Sequence, residues 1–136
     1  MVQIDVQYTP GLRCQARHAP SGSTLHTDAP VDNHGRGESF SPTDLVATAL
    51  GSCILTVMGI TAERHGWNLA GSRARVIKEM VQSPVRRIGR LRVRLELPSL
   101  EERARTTLER AAHTCPVHQS LHPDVAIDLE FAWGSA

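Results

Sequence analysis

The stretch Ser41–Ile60, SPTDLVATALGSCILTVMGI, decides how this chain is read. Ser41 stands as an N-cap, and Pro42 follows at the first helical position, where a missing N–H costs nothing. Asp44, three residues beyond Ser41, closes a capping box. No charge then occurs in the 18 residues Leu45–Ala62. Polarity returns at Glu63, Arg64 and His65, and Gly66 supplies a stop. Such a helix is about 37 Å long at 1.5 Å per residue, roughly the diameter of a domain of this size. One small sheet cannot cover so long an apolar element on every side, so a second copy of the chain is expected to cover part of it in a homodimer. A membrane span is the competing reading, since about 18 apolar residues approach the minimum for crossing a bilayer. Thr48, Ser52, Thr56 and Thr61 interrupt the run, and neither end carries a polybasic or aromatic anchor. Burial in protein is therefore expected, with no membrane.

Before this helix, Val2, Ile4, Val6 and Tyr8 alternate with polar residues. After the turn Thr9-Pro10-Gly11 the alternation resumes at Leu12, Cys14 and Ala16, predicting two antiparallel strands, with Ser23–Asp28 as a third. Ala29–Phe40, rich in Pro, Asn, Gly and Asp, has no periodicity and reads as a loop. After the helix, residues 67–80 and 85–97 read as a hairpin turning at Ser83-Pro84. In its second arm Leu91, Val93, Leu95 and Leu97 alternate with Arg90, Arg92, Arg94 and Glu96. A second helix is predicted from a capping box, Ser99 to Glu102, with apolar positions Leu100, Ala104, Leu108, Ala111 and Ala112. A helical turn after Cys115-Pro116 and a last strand with Val125, Ile127, Leu129 and Phe131 complete an α+β order, ββ(β)-α-ββ-α-β.

The chain has 136 residues, 40% of them hydrophobic and 21% charged, the balance of a single soluble domain over 1–136. Fifteen basic and 14 acidic residues leave a net charge of +1, which draws neither nucleic acid nor an anionic surface. The amino-terminal MVQIDVQYTP lacks the basic patch and apolar run of an export signal. Three cysteines, Cys14, Cys53 and Cys115, form neither a disulfide framework nor a zinc-type pair, so a cytoplasmic protein is expected.

Cys53 on an apolar helix reads first as a small core hydrophobe. Ala49, Gly51 and Ser52 beside it keep the helix surface low and leave room around the sulfur. Its mid-helix position brings no dipole field. Cys115 precedes Pro116, so its sulfur takes an N-cap position where free N–H groups favour a thiolate, with His118 three residues on. On local grounds Cys115 is the more acidic thiol. His113, Cys115, His118 and His122 match no closed four-ligand metal pattern, and Pro123 ends the turn at once, so no metal is expected. Arg86, Arg87, Arg90, Arg92 and Arg94 alternate with core residues, as on a solvated sheet face. With few aromatics among them, no nucleic acid is expected. Cys14 reads as a strand residue packing inward.

Taken together, SPTDLVATALGSC at Ser41–Cys53, the preceding HGRGESF at 34–40 and TCPVHQSL at Thr114–Leu121 resemble the OsmC/Ohr family. They lie closer to its OsmC-like (YhfA-like) branch than to the organic hydroperoxide resistance proteins proper. The resemblance covers nearly the whole chain. It implies a long central helix wrapped by curved antiparallel β-sheet in an intertwined homodimer, with two active sites near the subunit interface. It also implies that Cys53 is the peroxidatic cysteine and Cys115 the resolving one, reversing the local ranking. The Cys53 thiolate attacks a hydroperoxide, its sulfenic acid condenses with Cys115, and an external dithiol reduces the disulfide, with no bound cofactor. In the hydroperoxide reductases a glutamate follows the helix-start proline and pairs with an arginine of the amino-terminal strands. Thr43 stands in its place here. Asp44 matches the acid of the OsmC-like branch, Arg13 and Arg17 lie in the strand region of the arginine, and Arg36 in the loop is a further cation. The function implied is a thiol-dependent hydroperoxide reductase. The alternative is a non-enzymatic redox-sensing or small-molecule-binding module on the same fold.

Overall fold

In a computed structural model, residues 1–134 are described. The architecture is α+β, with two three-stranded sheets and one long helix. Two compact units make up the chain, Met1–Val46 and the residues from Ala47 onward.

The first unit is an antiparallel meander of β1 (Ile4–Thr9), β2 (Arg13–His18) and β3 (Thr24–Asp28). Its register places Val6 opposite Ala16 and Tyr8 opposite Cys14, with Ala16 opposite Leu25. Because side chains alternate along a strand, one face gathers Ile4, Val6, Tyr8, Cys14, Ala16 and Leu25. The other carries Thr9, Arg13, Gln15, His26 and Asp28. Ile4, Val6 and Tyr8 are 59–65% exposed, while Cys14 is half-buried. The loop after β3 holds one 3-10 turn, Val31–Asn33, and folds back on the strand: Asp28 N–H donates to the Phe40 carbonyl, and Ser39 Oγ to that of His26.

Helix α1 (Pro42–His65) begins as its sequence predicts. The Asp44 N–H donates to Ser41 Oγ at 3.1 Å, and the Ser41 N–H donates to Asp44 Oδ2 at 2.9 Å. Ala47, Leu50, Gly51, Ile54, Met58 and Ala62 form its buried stripe, spaced at helical period. By length and composition α1 could cross a membrane, and 33% of its most apolar window is buried among the described residues.

In the second unit β4 (Arg73–Val81) pairs antiparallel with β5 (Arg87–Leu97), and β6 (Ala126–Trp133) joins β5 in parallel. The parallel entry departs from an all-antiparallel expectation. Its cause is the crossover through α2 (Glu102–Ala112) and α3 (Pro116–Ser120), which carries the chain back to the starting end of β5. Leu91, Val93, Leu95 and Leu97 of β5 are at most 6% exposed and pack with the α1 stripe and with Leu108, Ala112 and Cys115. The opposite face of this sheet is an ion-pair ladder: Arg92 pairs with Glu79 at 2.9 Å, Arg90 with Asp128, and Arg94 with Glu130.

Two predicted boundaries move. Residues 67–72 are not strand, because α1 ends there through Gly66 at φ +72, with the Trp67 N–H donating to the Ala62 carbonyl. A turn follows in which Ser72 N–H and Oγ both donate to the Leu69 carbonyl. The Ser99–Glu102 capping box does not form either. Leu100 packs against the core, which keeps the backbone extended through Glu101, and Glu101 becomes the N-cap without a side-chain bond.

Candidate functional site

Cys53 lies in the middle of α1, and Cys115 lies where α2 gives way to α3, 62 positions along. Both belong to the second unit, and the fold brings their thiols within hydrogen-bonding reach. Pro116 explains the local geometry of Cys115. Its ring fits the first turn of α3 and forces the preceding residue out of the helical region, so Cys115 becomes the N-cap at φ −50, ψ 122. The residue thus takes the N-cap position that the sequence predicts, but its side chain makes no capping hydrogen bond.

The acidity expected from that position is overturned. Cys115 is fully buried, and this burial pushes its thiol pKa up; the hydrogen bond to Cys53 acts in the same direction. The nearby backbone N–H groups of Val117 and His118 pull the other way and are outweighed. Cys53 itself is partly exposed.

Gly51 has a different role from the one its size suggests. A Cβ there would meet Val76 Cγ2 at 2.8 Å, so its smallness is used by close approach of β4 to α1, not as free space around the sulfur. Near Cys115, His118 Nδ1 is buried and meets no hydrogen-bond partner among the described residues. His122 Nδ1 accepts the Asp124 N–H at 3.0 Å, and the His113 ring lies 6.2 Å from that of Phe131. Among the described residues no three His, Cys, Asp or Glu side chains gather as metal ligands.

The four supporting residues named from the sequence all lie in the first unit. Arg13 is the most engaged. It stands directly across from Asp28 in the β2–β3 register, 3.6 Å from Asp28 Oδ2, and donates to Glu38 from the loop. The hydrogen bond to Glu38 and the charge of Asp28 raise its pKa further, so it is a permanent cation. Asp28 is 1% exposed; its Oδ2 accepts the Glu38 N–H at 3.0 Å, and its Oδ1 has no partner among the described residues. These groups line an open cleft of about 400 Å³ with Thr9, Gln15, His26 and Ser39. Arg17 is exposed on β2 opposite Asp5 and Thr24, Arg36 is exposed on the loop, and Asp44 is occupied in the α1 cap. Thr43 Oγ1 lies 3.2 Å from Ser41 Oγ in that cap.

Asp28 and Glu38 were not singled out in the sequence. Asp28 reads there as the end of a strand and Glu38 as one polar residue of an aperiodic loop. Their meeting with Arg13 depends on the loop folding back, which no periodicity encodes.

The family model for OsmC-like proteins matches residues 35–130. A crystal structure of a candidate osmotic-stress-induced and detoxification-response protein from Psychrobacter arcticus is 40% identical, covers 96% of each chain, and superimposes with a TM-score of 0.91. An organic hydroperoxide resistance protein from Legionella pneumophila shares 13% identity over 97% of this chain and 96% of its own, with a TM-score of 0.79. A candidate organic hydroperoxide resistance protein from Vibrio cholerae, with captopril in one of its active sites, shares 15% identity over 95% of this chain and 90% of its own, with a TM-score of 0.75. The likeness to these last two concerns the fold. No curated protein sequence matches.

Proposed function

From the chain's membership of the OsmC-like protein family, related to the organic hydroperoxide resistance proteins, we propose that it is a thiol-dependent hydroperoxide reductase in which Cys53 is peroxidatic and Cys115 resolving. The hydrogen-bonded contact between these two thiols carries the reading. A thiol that keeps its proton is a poor nucleophile, so Cys115, raised by burial, waits while Cys53 attacks. The Cys53 thiolate takes the outer oxygen of the hydroperoxide, the O–O bond breaks, and the alcohol leaves after gaining a proton. Cys115 then attacks the sulfenic sulfur, water leaves, and the resulting disulfide is reduced by an external dithiol. The two thiols hold the exchanged electrons, so the cycle requires no resident cofactor or metal.

The working form is a cytoplasmic homodimer, engaging neither membrane nor nucleic acid. The exposed face of Ile4, Val6 and Tyr8, and an α1 buried along only one stripe, support this assembly.

A second reading has its own observation. Arg13 already faces two carboxylates, so its charge is compensated within its own unit, and Thr43 replaces the glutamate expected at the helix start. A protein that oxidises once and turns over slowly, as a redox sensor does, fits that arrangement. Consumption of cumene hydroperoxide with dithiothreitol separates the two. The reductase consumes many equivalents, and Cys53→Ser matches buffer. A wild-type trace that stops after about one equivalent selects the sensor. Wild-type and Cys53→Ser traces both equal to buffer end both readings.

A further inference from the structure

Reduction of a Cys53–Cys115 disulfide can begin at either sulfur. The incoming thiolate must approach along the extension of the S–S bond, so the attacked sulfur has to be reachable. The two sulfurs differ in access. Cys115 is 0% exposed and belongs to the core cluster with Leu95, Leu108 and Ala112. Cys53 keeps part of its surface, beside the exposed Ser52 on α1.

We propose, building on the reductase reading, that the external dithiol attacks Cys53 Sγ and that Cys115 is the leaving thiolate. The attacking thiolate forms a new S–S bond to Cys53, and the electron pair of the Cys53–Cys115 bond goes to Cys115. The second thiolate of the reductant then attacks its own sulfur in the mixed disulfide. A cyclic disulfide closes and Cys53 leaves as a thiolate. The dithiol loses two electrons and two protons, the protein disulfide gains two electrons, and the protons end on the protein thiols. Cys53 therefore meets both the oxidant and the reductant, while Cys115 stays in the core throughout. A monothiol stalls as a Cys53 adduct.

The test uses the Cys14→Ser protein, oxidised by diamide so that the disulfide does not depend on peroxidase turnover. It is then exposed briefly to glutathione, quenched in acid and mapped by tandem mass spectrometry. The adduct is expected at Cys53 in about tenfold or greater excess, following access. An equal distribution, or an excess at Cys115, overturns the proposal. In a second measurement, nitrothiobenzoate is loaded on Cys115 in Cys14→Ser/Cys53→Ser and on Cys53 in Cys14→Ser/Cys115→Ser. Dithiothreitol should release it about tenfold more slowly from Cys115, the shielded sulfur; equal rates overturn the proposal. A protein inert to hydroperoxide whose diamide-made disulfide still opens at Cys53 defeats the reductase reading and leaves this regiochemistry standing. One that turns over while collecting glutathione on Cys115 does the reverse.

Discussion

The two sheets are written in the same alternating pattern and meet opposite fates. In β5 the apolar residues Leu91, Val93 and Leu95 are at most 1% exposed, whereas in β1 their counterparts Ile4, Val6 and Tyr8 are more than half exposed. The strands do not differ in kind. The second sheet is covered within its own unit by α1 and α2, and the apolar face of the first has no such cover on β1. Alternation therefore states that a face is meant to be buried, without stating which chain buries it. The same contrast runs through the cysteines: Cys14 is half-buried on the first sheet, and Cys115 is sealed in the core of the second.

The largest effect is expected where that core is densest. Leu95 is fully buried, paired in register with Ala74 on β4 and Phe131 on β6. Leu95→Ala removes apolar contact and leaves a cavity, at a cost of about 2–5 kcal/mol. Urea unfolding measures it; a loss within about 0.5 kcal/mol, the range of surface substitutions, would mean that this sheet is no better covered than the first.

A substitution on the other sheet has a different readout. Val6 is 65% exposed, so Val6→Lys costs the isolated fold little, but it places a charge on the face proposed to meet a second copy. Sedimentation should show a dimer for the wild type and at least about tenfold weaker association for the variant, since a desolvated unpaired charge disfavours docking. A monomeric wild type would refute the assembly. A dimer unmoved by Val6→Lys would place its interface elsewhere.

How far these features were legible follows the same division. The capped start and uncharged run announce α1, and alternation announces the arginine face of β5 and the order of elements along the chain, because each is a local pattern with a local physical cause. Ser41, Pro42 and Asp44 fixed the start of α1 for that reason. The Cys53–Cys115 pairing entered through resemblance, since nothing local links positions so far apart. The suppressed acidity of Cys115 was out of reach: its N-cap position is visible in the Cys-Pro step, but the burial that outweighs it belongs to packing among α1, α2 and β5. Arg13, Asp28 and Glu38 were equally hidden, being brought together by the return of an aperiodic loop.

The smallest expected effect exploits Cys115, a titratable member of the second sheet's core. Burial, reinforced by the Cys53 hydrogen bond, raises the Cys115 pKa in the native state, while the unfolded chain keeps the ordinary thiol value. Below that ordinary value both states hold the proton and the group leaves stability unchanged with pH. As pH climbs above it, the unfolded chain loses the proton first, so native stability falls until pH passes the raised native pKa, and then levels. The slope from one such proton is at most about 1.4 kcal/mol per pH unit. Urea unfolding between neutral and alkaline pH should therefore show a shallower decline for Cys115→Ala than for the wild type, whatever the variant loses in packing at neutral pH. Equal slopes for Cys115→Ala and the wild type would mean that the Cys115 thiol titrates alike in the core and in the unfolded chain, and the contrast between the two cysteines would then be one of access alone.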